Sequence, residues 1–156
     1  MDFITPEEQQ RLDQKLQQMK AKRPEITQRI AEARALGDLS ENAEYHAARE
    51  DQGLNEAEIR RVEQRLKTAT VTDRSAIPQD VVFVGSTVKL RDTDVGNEEI
   101  YKLVGEASGN FDLDAEEIEV TGGSPMGEAM MKARVGDVIK VDLPRGTKRF
   151  EVLEIL

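Results

Sequence analysis

Apolar residues recur through the first half of the chain at alternating steps of four and three. Leu12, Leu16, Met19, Arg23, Ile26, Ile30 and Ala33 form one seam, and Tyr45, Ala48, Gln52, Asn55, Ile59, Val62, Leu66 and Ala69 form a second. Sustained over this length, the spacing predicts helices joined along a narrow stripe rather than buried in a broad core. The intervening Leu36-Gly37-Asp38-Leu39-Ser40 is too short to let the helices do anything except fold back antiparallel. At about 30 residues per arm and 1.5 Å per residue, the hairpin should be roughly 45 Å long.

Folding the seams about residues 39–40 sets Met19 opposite Ile59 or Val62 and Leu12 opposite Leu66. It also sets Ile30 near Ala48 or Gln52, and Arg23 near Asn55 in a polar layer that fixes register at some cost in stability. Pro24 lacks an amide donor and crowds the preceding turn. The heptad phase survives across it, so a kink or local break is expected rather than an end.

Composition changes near residue 75. Residues 1–75 carry 13 bases, 15 acids and two glycines, whereas residues 76–156 carry 9 bases, 16 acids and nine glycines. Two domains are expected, 1–75 and 76–156, with residues 70–80 as a linker. Beyond it, residues 81–90, 100–105, 116–121, 137–143 and 149–155 read as strands. Val95-Gly96-Asn97 and Pro144-Arg145-Gly146 read as turns. One helix interrupts the strands: Ser124 suits an N-cap and Pro125 the first helical position, with Met126, Ala129, Met130 and Ala133 as its apolar face. The fold class is therefore α+β in two domains, a coiled-coil hairpin followed by a small domain with an antiparallel sheet.

Several functions are excluded. With no cysteine, the chain has no disulfide, no thiolate nucleophile and no cysteine-ligated zinc, and its single histidine excludes a multi-histidine metal site. A net charge of −9 argues against a free-standing nucleic-acid binder, which normally presents a basic face. The opening MDFITPEEQQ lacks the basic and apolar regions of a signal peptide. No apolar run approaches the ~18 residues of a membrane span. A cytoplasmic protein without membrane contact is expected.

The informative stretch is Gly37-Asp38-Leu39-Ser40-Glu41-Asn42-Ala43-Glu44-Tyr45, which gathers three carboxylates at the hairpin turn. One reading is structural. Asp38-x-x-Glu41 has the spacing of a capping box, with Asp38 as N-cap and Glu41 reaching back to its amide. The other is that the acids are presented to a hard divalent cation such as magnesium, already partly held elsewhere.

Ile30-Ala31-Glu32-Ala33-Arg34 and GDLSENAEYHAARE (37–50) closely resemble the hairpin tip of the bacterial transcript cleavage factors, the Gre family. The resemblance continues through Ser124-Pro125-Met126-Gly127, Val135-Gly136-Asp137 and Arg149 to Ile155. It implies a protein that binds RNA polymerase and inserts its coiled coil into the secondary channel. There it would stimulate cleavage of the nascent RNA 3′ end in backtracked complexes, without being an enzyme itself. Asp38 and Glu41 would share Mg²⁺ with the polymerase, the free protein not holding it, and Glu44 would be a helix-face or supporting acid. Arg34 and Arg49 would contact the extruded RNA, the bland alternative being ion pairs with Glu32 or Glu50 on solvated helix faces.

The resemblance also implies an FKBP-like C-terminal domain that docks on polymerase through Ser124 and Pro125. Gly122-Gly123 precede them where relatives often carry acidic or amide side chains. Prolyl isomerase activity does not follow from such a fold. Phe83, Tyr101, Phe111 and Phe150 are mostly needed for the core. Tyr45 is expected to pack on the first arm near Ala33, His46 to lie on a solvated helix face, and the chain to act as a monomer. The runner-up reading is a paralogue that enters the channel and inhibits or remodels polymerase. More distant alternatives are an isomerase and a coiled-coil scaffold unrelated to transcription.

Overall fold

The computed structural model describes residues 2–108 and 116–156, apart from the side chain of Arg74. Phe111, counted above with the core aromatics, lies outside the described residues. The chain forms two compact units, one of Gln9–Thr68 and one in which Met1–Glu8 join Ala69–Leu156.

In the first unit, α1 (Pro6–Arg34) and α2 (Ala43–Thr68) are the two arms. The seam residues Leu12, Leu16, Met19, Ile26, Ile30 and Ala33 are buried on α1, as are Ala48, Ile59 and Val62 on α2. Ile26, Ile30 and Ala48 form one cluster with Tyr45 against it, so Ile30 meets Ala48 as the folded seams predict. In the polar layer, Asn55 Nδ2 donates to the Met19 carbonyl at 2.9 Å. Arg23 turns outward instead, giving Glu56 two hydrogen bonds of 2.7 and 3.0 Å. Its guanidinium is long enough to leave the seam and keep its charge in water.

Pro24 does not break α1, which is continuous through it. The residue is exposed, so water can reach the Lys20 carbonyl that loses its helical donor. The Thr27 hydroxyl also donates to the Arg23 carbonyl at 2.9 Å.

Ion pairs cross between the arms, among them Lys15–Glu58, Arg23–Glu56 and Arg29–Asp51, with lengths of 2.8, 2.7 and 2.8 Å. They are solvated, so each contributes little alone, but together they favour this pairing of the arms. Hydrogen bonds from Arg61 and then Lys15 lower the Glu58 pKa from 4.5 to about 2. A depressed carboxylate pKa stabilises the fold above the ordinary value, and the contribution disappears as pH falls through the folded one. Glu58→Gln is therefore expected to melt below the parent at pH 5 and to converge on it near pH 2. The check is the helical ellipticity of the two chains on heating, and a difference independent of pH would refute it.

The second unit begins with β1 (Phe3–Ile4), which pairs in parallel with β2 (Thr70–Val71). Residues 70–71 are thus structure rather than linker. The Thr70 amide donates to the Asp2 carbonyl at 2.7 Å and the Thr72 amide to the Ile4 carbonyl at 2.8 Å. Two-residue strands carry too little alternation to be legible in sequence.

A five-stranded sheet follows, made of β3 (Thr87–Asp92), β4 (Glu98–Val104), β5 (Glu117–Thr121), β6 (Val138–Leu143) and β7 (Gly146–Ile155). Its order is β5-β4-β3-β7-β6, with α3 (Pro125–Met130) packed against β6 and β5. Val88, Leu90, Leu103, Met130, Val141 and Val152 are among its core residues.

The fold class is α+β as expected, but the sheet is mixed rather than wholly antiparallel, because β4 and β5 run parallel. Twelve residues, 105–116, separate them in the sequence, the length that a parallel crossover requires. The strand expected at 81–90 starts only at Thr87. Val82 and Val84 are buried and extend the alternation of Val88 and Leu90. The backbone there is nevertheless turning, with the Val82 amide donating to the Ala133 carbonyl at 2.8 Å and the Ser86 amide to that of Phe83 at 2.9 Å.

A reciprocal capping box does occur in the chain, at the start of α1. The Glu8 amide donates to Thr5 Oγ1 at 3.1 Å, and the Thr5 amide to Glu8 Oε2 at 3.3 Å, with Pro6 in the first helical position. Glu8 is only 3% exposed. Its carboxylate also accepts the Gly105 amide at 3.1 Å and the Glu106 amide at 3.1 Å. A carboxylate buried this deeply is tolerable because backbone donors surround it. Among the described residues, no helix is long and apolar enough to cross a membrane.

Candidate functional site

Eight residues, 35–42, join α1 to α2. Gly37 turns the chain out of α1 with φ at +122°, in a region that favours glycine because no Cβ is present to clash. The Ser40 amide and hydroxyl then donate to Asp38 Oδ1 at 3.0 and 2.9 Å. These two bonds, the backbone one foremost, hold the Asp38 carboxyl below its ordinary range and keep it ionised.

The capping box expected at Asp38 and Glu41 is not formed. α2 starts at Ala43 and its cap is Asn42, whose Oδ1 accepts the Tyr45 amide at 3.0 Å. Asp38 lies too far before the helix to reach that turn, and its local bond to Ser40 competes for the carboxylate. The Asn42 carbonyl accepts the His46 amide at 3.1 Å, and its Nδ2 donates to the Ala33 carbonyl at 2.6 Å. Sequence reasoning passed over Asn42 because the acids beside it matched a better-known spacing. The available signal was an asparagine immediately before Ala-Glu-Tyr, since asparagine is among the strongest N-caps.

The three carboxylates are all exposed. Glu44 sits in the first turn of α2, where it complements the helix dipole. Among the described residues, neither the Glu41 nor the Glu44 carboxylate takes part in an ion pair or hydrogen bond. Asp38 and Glu41 share one short loop and are free of capping duty. Their hard oxygen donors suit magnesium, which takes one or two carboxylates and keeps its remaining ligands as water or phosphate oxygen. No cluster of three or more metal-ligating side chains occurs among the described residues.

The flanking bases are placed differently from the ion pairs considered above. The Arg34 guanidinium lies 5.7 Å from the centre of the Tyr45 ring, an arrangement in which cation and ring face attract. Arg49 donates to Gln52 Oε1 at 3.0 Å. Tyr45 and Arg49 are one turn apart on α2. Tyr45 itself packs on Ile26, Ile30 and Ala48. His46 is exposed, with its ring centroid 5.6 Å from that of Tyr45 at a steep interplanar angle and Nε2 3.4 Å from the Ser40 carbonyl.

Ser124 and Pro125 belong to the other unit. Ser124 caps α3 as expected, its Oγ accepting the Gly127 amide at 3.0 Å and donating to the Thr121 carbonyl at 2.7 Å. Pro125 at the first helical position is exposed, as is Gly123 before the cap. The hydroxyl is thus occupied within the fold, and the surface it leaves outward is the proline ring.

Residues 2–71 match the family model described as the N-terminal region of transcription elongation factors. Residues 77–156 match the model described as the C-terminal region of transcription elongation factors GreA and GreB. The transcription elongation factor GreA of Beijerinckia indica is 42% identical over 97% of this chain and 95% of its own length. That of Clostridium botulinum strain Eklund 17B is 41% identical over 97% of this chain and 93% of its own. Among solved structures, GreA factor homolog 1 of Thermus thermophilus is 29% identical, with coverage of 100% and 99% and a TM-score of 0.45. Matched along both halves and over nearly its whole length, the chain belongs to the GreA/GreB family of transcription elongation factors.

Proposed function

We propose that this elongation factor binds RNA polymerase, passes its hairpin into the secondary channel and stimulates cleavage of the 3′ end of nascent RNA in backtracked complexes. The bond is cut by the polymerase active site, and the factor lends it two carboxylates. The observation that carries this reading is the pair Asp38 and Glu41, exposed on the loop of a long hairpin and released from helix capping by Asn42. With 29 residues, α1 is about 43 Å long. That length suits delivery of a side chain deep into a partner.

Asp38 enters ionised, with Oδ1 held by Ser40 and Oδ2 available. Glu41 offers a second oxygen donor from the same loop. Together they would help hold a Mg²⁺ ion shared with the polymerase. When bound, that ion supplies activation of the attacking water and charge stabilisation at phosphorus. Arg34 and Arg49 neutralise phosphates of the extruded RNA, a contact that a protein of net charge −9 makes only when the partner has already positioned the strand. The exposed Pro125 and its neighbourhood supply the docking contact on polymerase, and the chain acts as a monomer.

The test is a backtracked elongation complex carrying labelled RNA. Asp38→Asn with Glu41→Gln is expected to reduce cleavage to the rate without factor while still competing with the parent for polymerase. Cleavage unaffected by adding the parent, or retained by the double variant, would sink the reading. Slowed nucleotide addition without cleavage would instead favour an inhibitory channel binder.

A further inference from the structure

We propose that Asn42 is a positioning residue for the tip carboxylates, an inference that rests on the function proposed above. Its amide is bonded at both ends. Nδ2 reaches the Ala33 carbonyl in the last turn of α1 at 2.6 Å, and Oδ1 holds the Tyr45 amide in the first turn of α2 at 3.0 Å. One side chain therefore ties the two points between which Asp38 and Glu41 are suspended. It is half-buried in a loop whose other side chains are exposed. Tyr45 adds a second anchor, packed against the cluster that Ile26, Ile30 and Ala48 form.

The chemistry restricts which residues serve. Aspartate or serine could accept the Tyr45 amide and cap α2. Aspartate cannot donate to the Ala33 carbonyl and would set two acceptors against each other. Serine is too short to span from cap to carbonyl. Without that tie, residues 38–41 keep only the Asp38–Ser40 turn and the long 3.4 Å contact of His46 Nε2 with the Ser40 carbonyl, and the two carboxylates sample a wider volume. A displacement of about 1 Å in a catalytic constellation can lower a rate by on the order of 100-fold.

The experiment compares the full-length parent with Asn42→Asp and Asn42→Ser, using the backtracked complex over a range of factor concentrations. The same three free chains are compared by backbone amide order parameters at residues 38–41. Both variants keep the cap, so the parent's helical ellipticity is expected to be retained. The maximal stimulated rate should fall roughly 10- to 100-fold. The factor concentration giving half the effect should change less than about threefold, and order at residues 38–41 should drop. A maximal rate equal to the parent's would overturn the proposal, as would a loss confined to half-saturating concentration. Unchanged loop order in Asn42→Asp would overturn it independently of cleavage. A parent that stimulates no cleavage defeats the functional reading instead, and the order parameters still decide what Asn42 holds.

Discussion

Gly105→Ala is expected to destabilise the sheet unit by about 4 kcal/mol or more, in the range reached only by severe steric or burial defects. A Cβ on Gly105 would lie 2.0 Å from the Phe3 carbonyl oxygen and 2.8 Å from both Ile4 Cα and Glu8 Oε2. Two of the three atoms are backbone of β1, which is hydrogen-bonded to β2 and cannot swing aside as a side chain would. Relief requires either parting β1 from β2 or moving the end of β4, and each breaks several bonds. For a unit of this size the loss corresponds to a fall in melting temperature of roughly 20 °C. Amide exchange locates the effect: protection should collapse in β3, β4 and β7 while the seam of the hairpin keeps its own. A melting temperature within about 2 °C of the parent would contradict the close approach.

Glu8→Ala is expected to cost nearly as much, about 3–5 kcal/mol, the range for removing one partner of a buried charged network. The carboxylate accepts the amides of Thr5, Gly105 and Glu106, and alanine leaves all three donors without it. The cavity adds a further loss because the site is nearly sealed. Glu8→Gln should fall between parent and Glu8→Ala, since its one carbonyl oxygen accepts while its amide group faces other donors. Chemical denaturation of the three chains measures this order. Glu8→Ala and Gly105→Ala act on one junction, so the double variant should lose less than the sum of the two. Strict additivity would mean that the contacts are independent.

The hairpin was legible from its first half alone because a heptad repeat states both the period and the buried face. Leu12 to Ala33 and Ala48 to Val62 needed no tertiary information. The Ser124 cap and Pro125 start were equally local. What escaped depended on distant partners. The Phe3–Ile4 strand exists only because Thr70–Val71 lies beside it, and Glu8 is tolerated in the interior only because two amides from residues 105 and 106 meet it. Val82 and Val84 kept the alternation of a strand while the Val82 amide bonded to Ala133 and the chain turned at Ser86. At the tip, motif resemblance supplied Asp38 and Glu41. The division of labour that frees them required seeing which of two neighbouring polar residues the helix uses, and asparagine won because it bonds both arms at once.

The parallel pairing of Phe3–Ile4 with Thr70–Val71 has a consequence for synthesis. In sequence, the hairpin is an insertion into the sheet unit, whose first eight residues are translated before it and whose remainder follows. The hairpin draws on contacts within its own stretch and can close while the chain is still growing. The opening segment must wait for Thr70 and then for Gly105 before β1 and Glu8 find their places. Vectorial folding thus completes the reaching arm first and finishes the sheet unit only when the two separated pieces of chain rejoin.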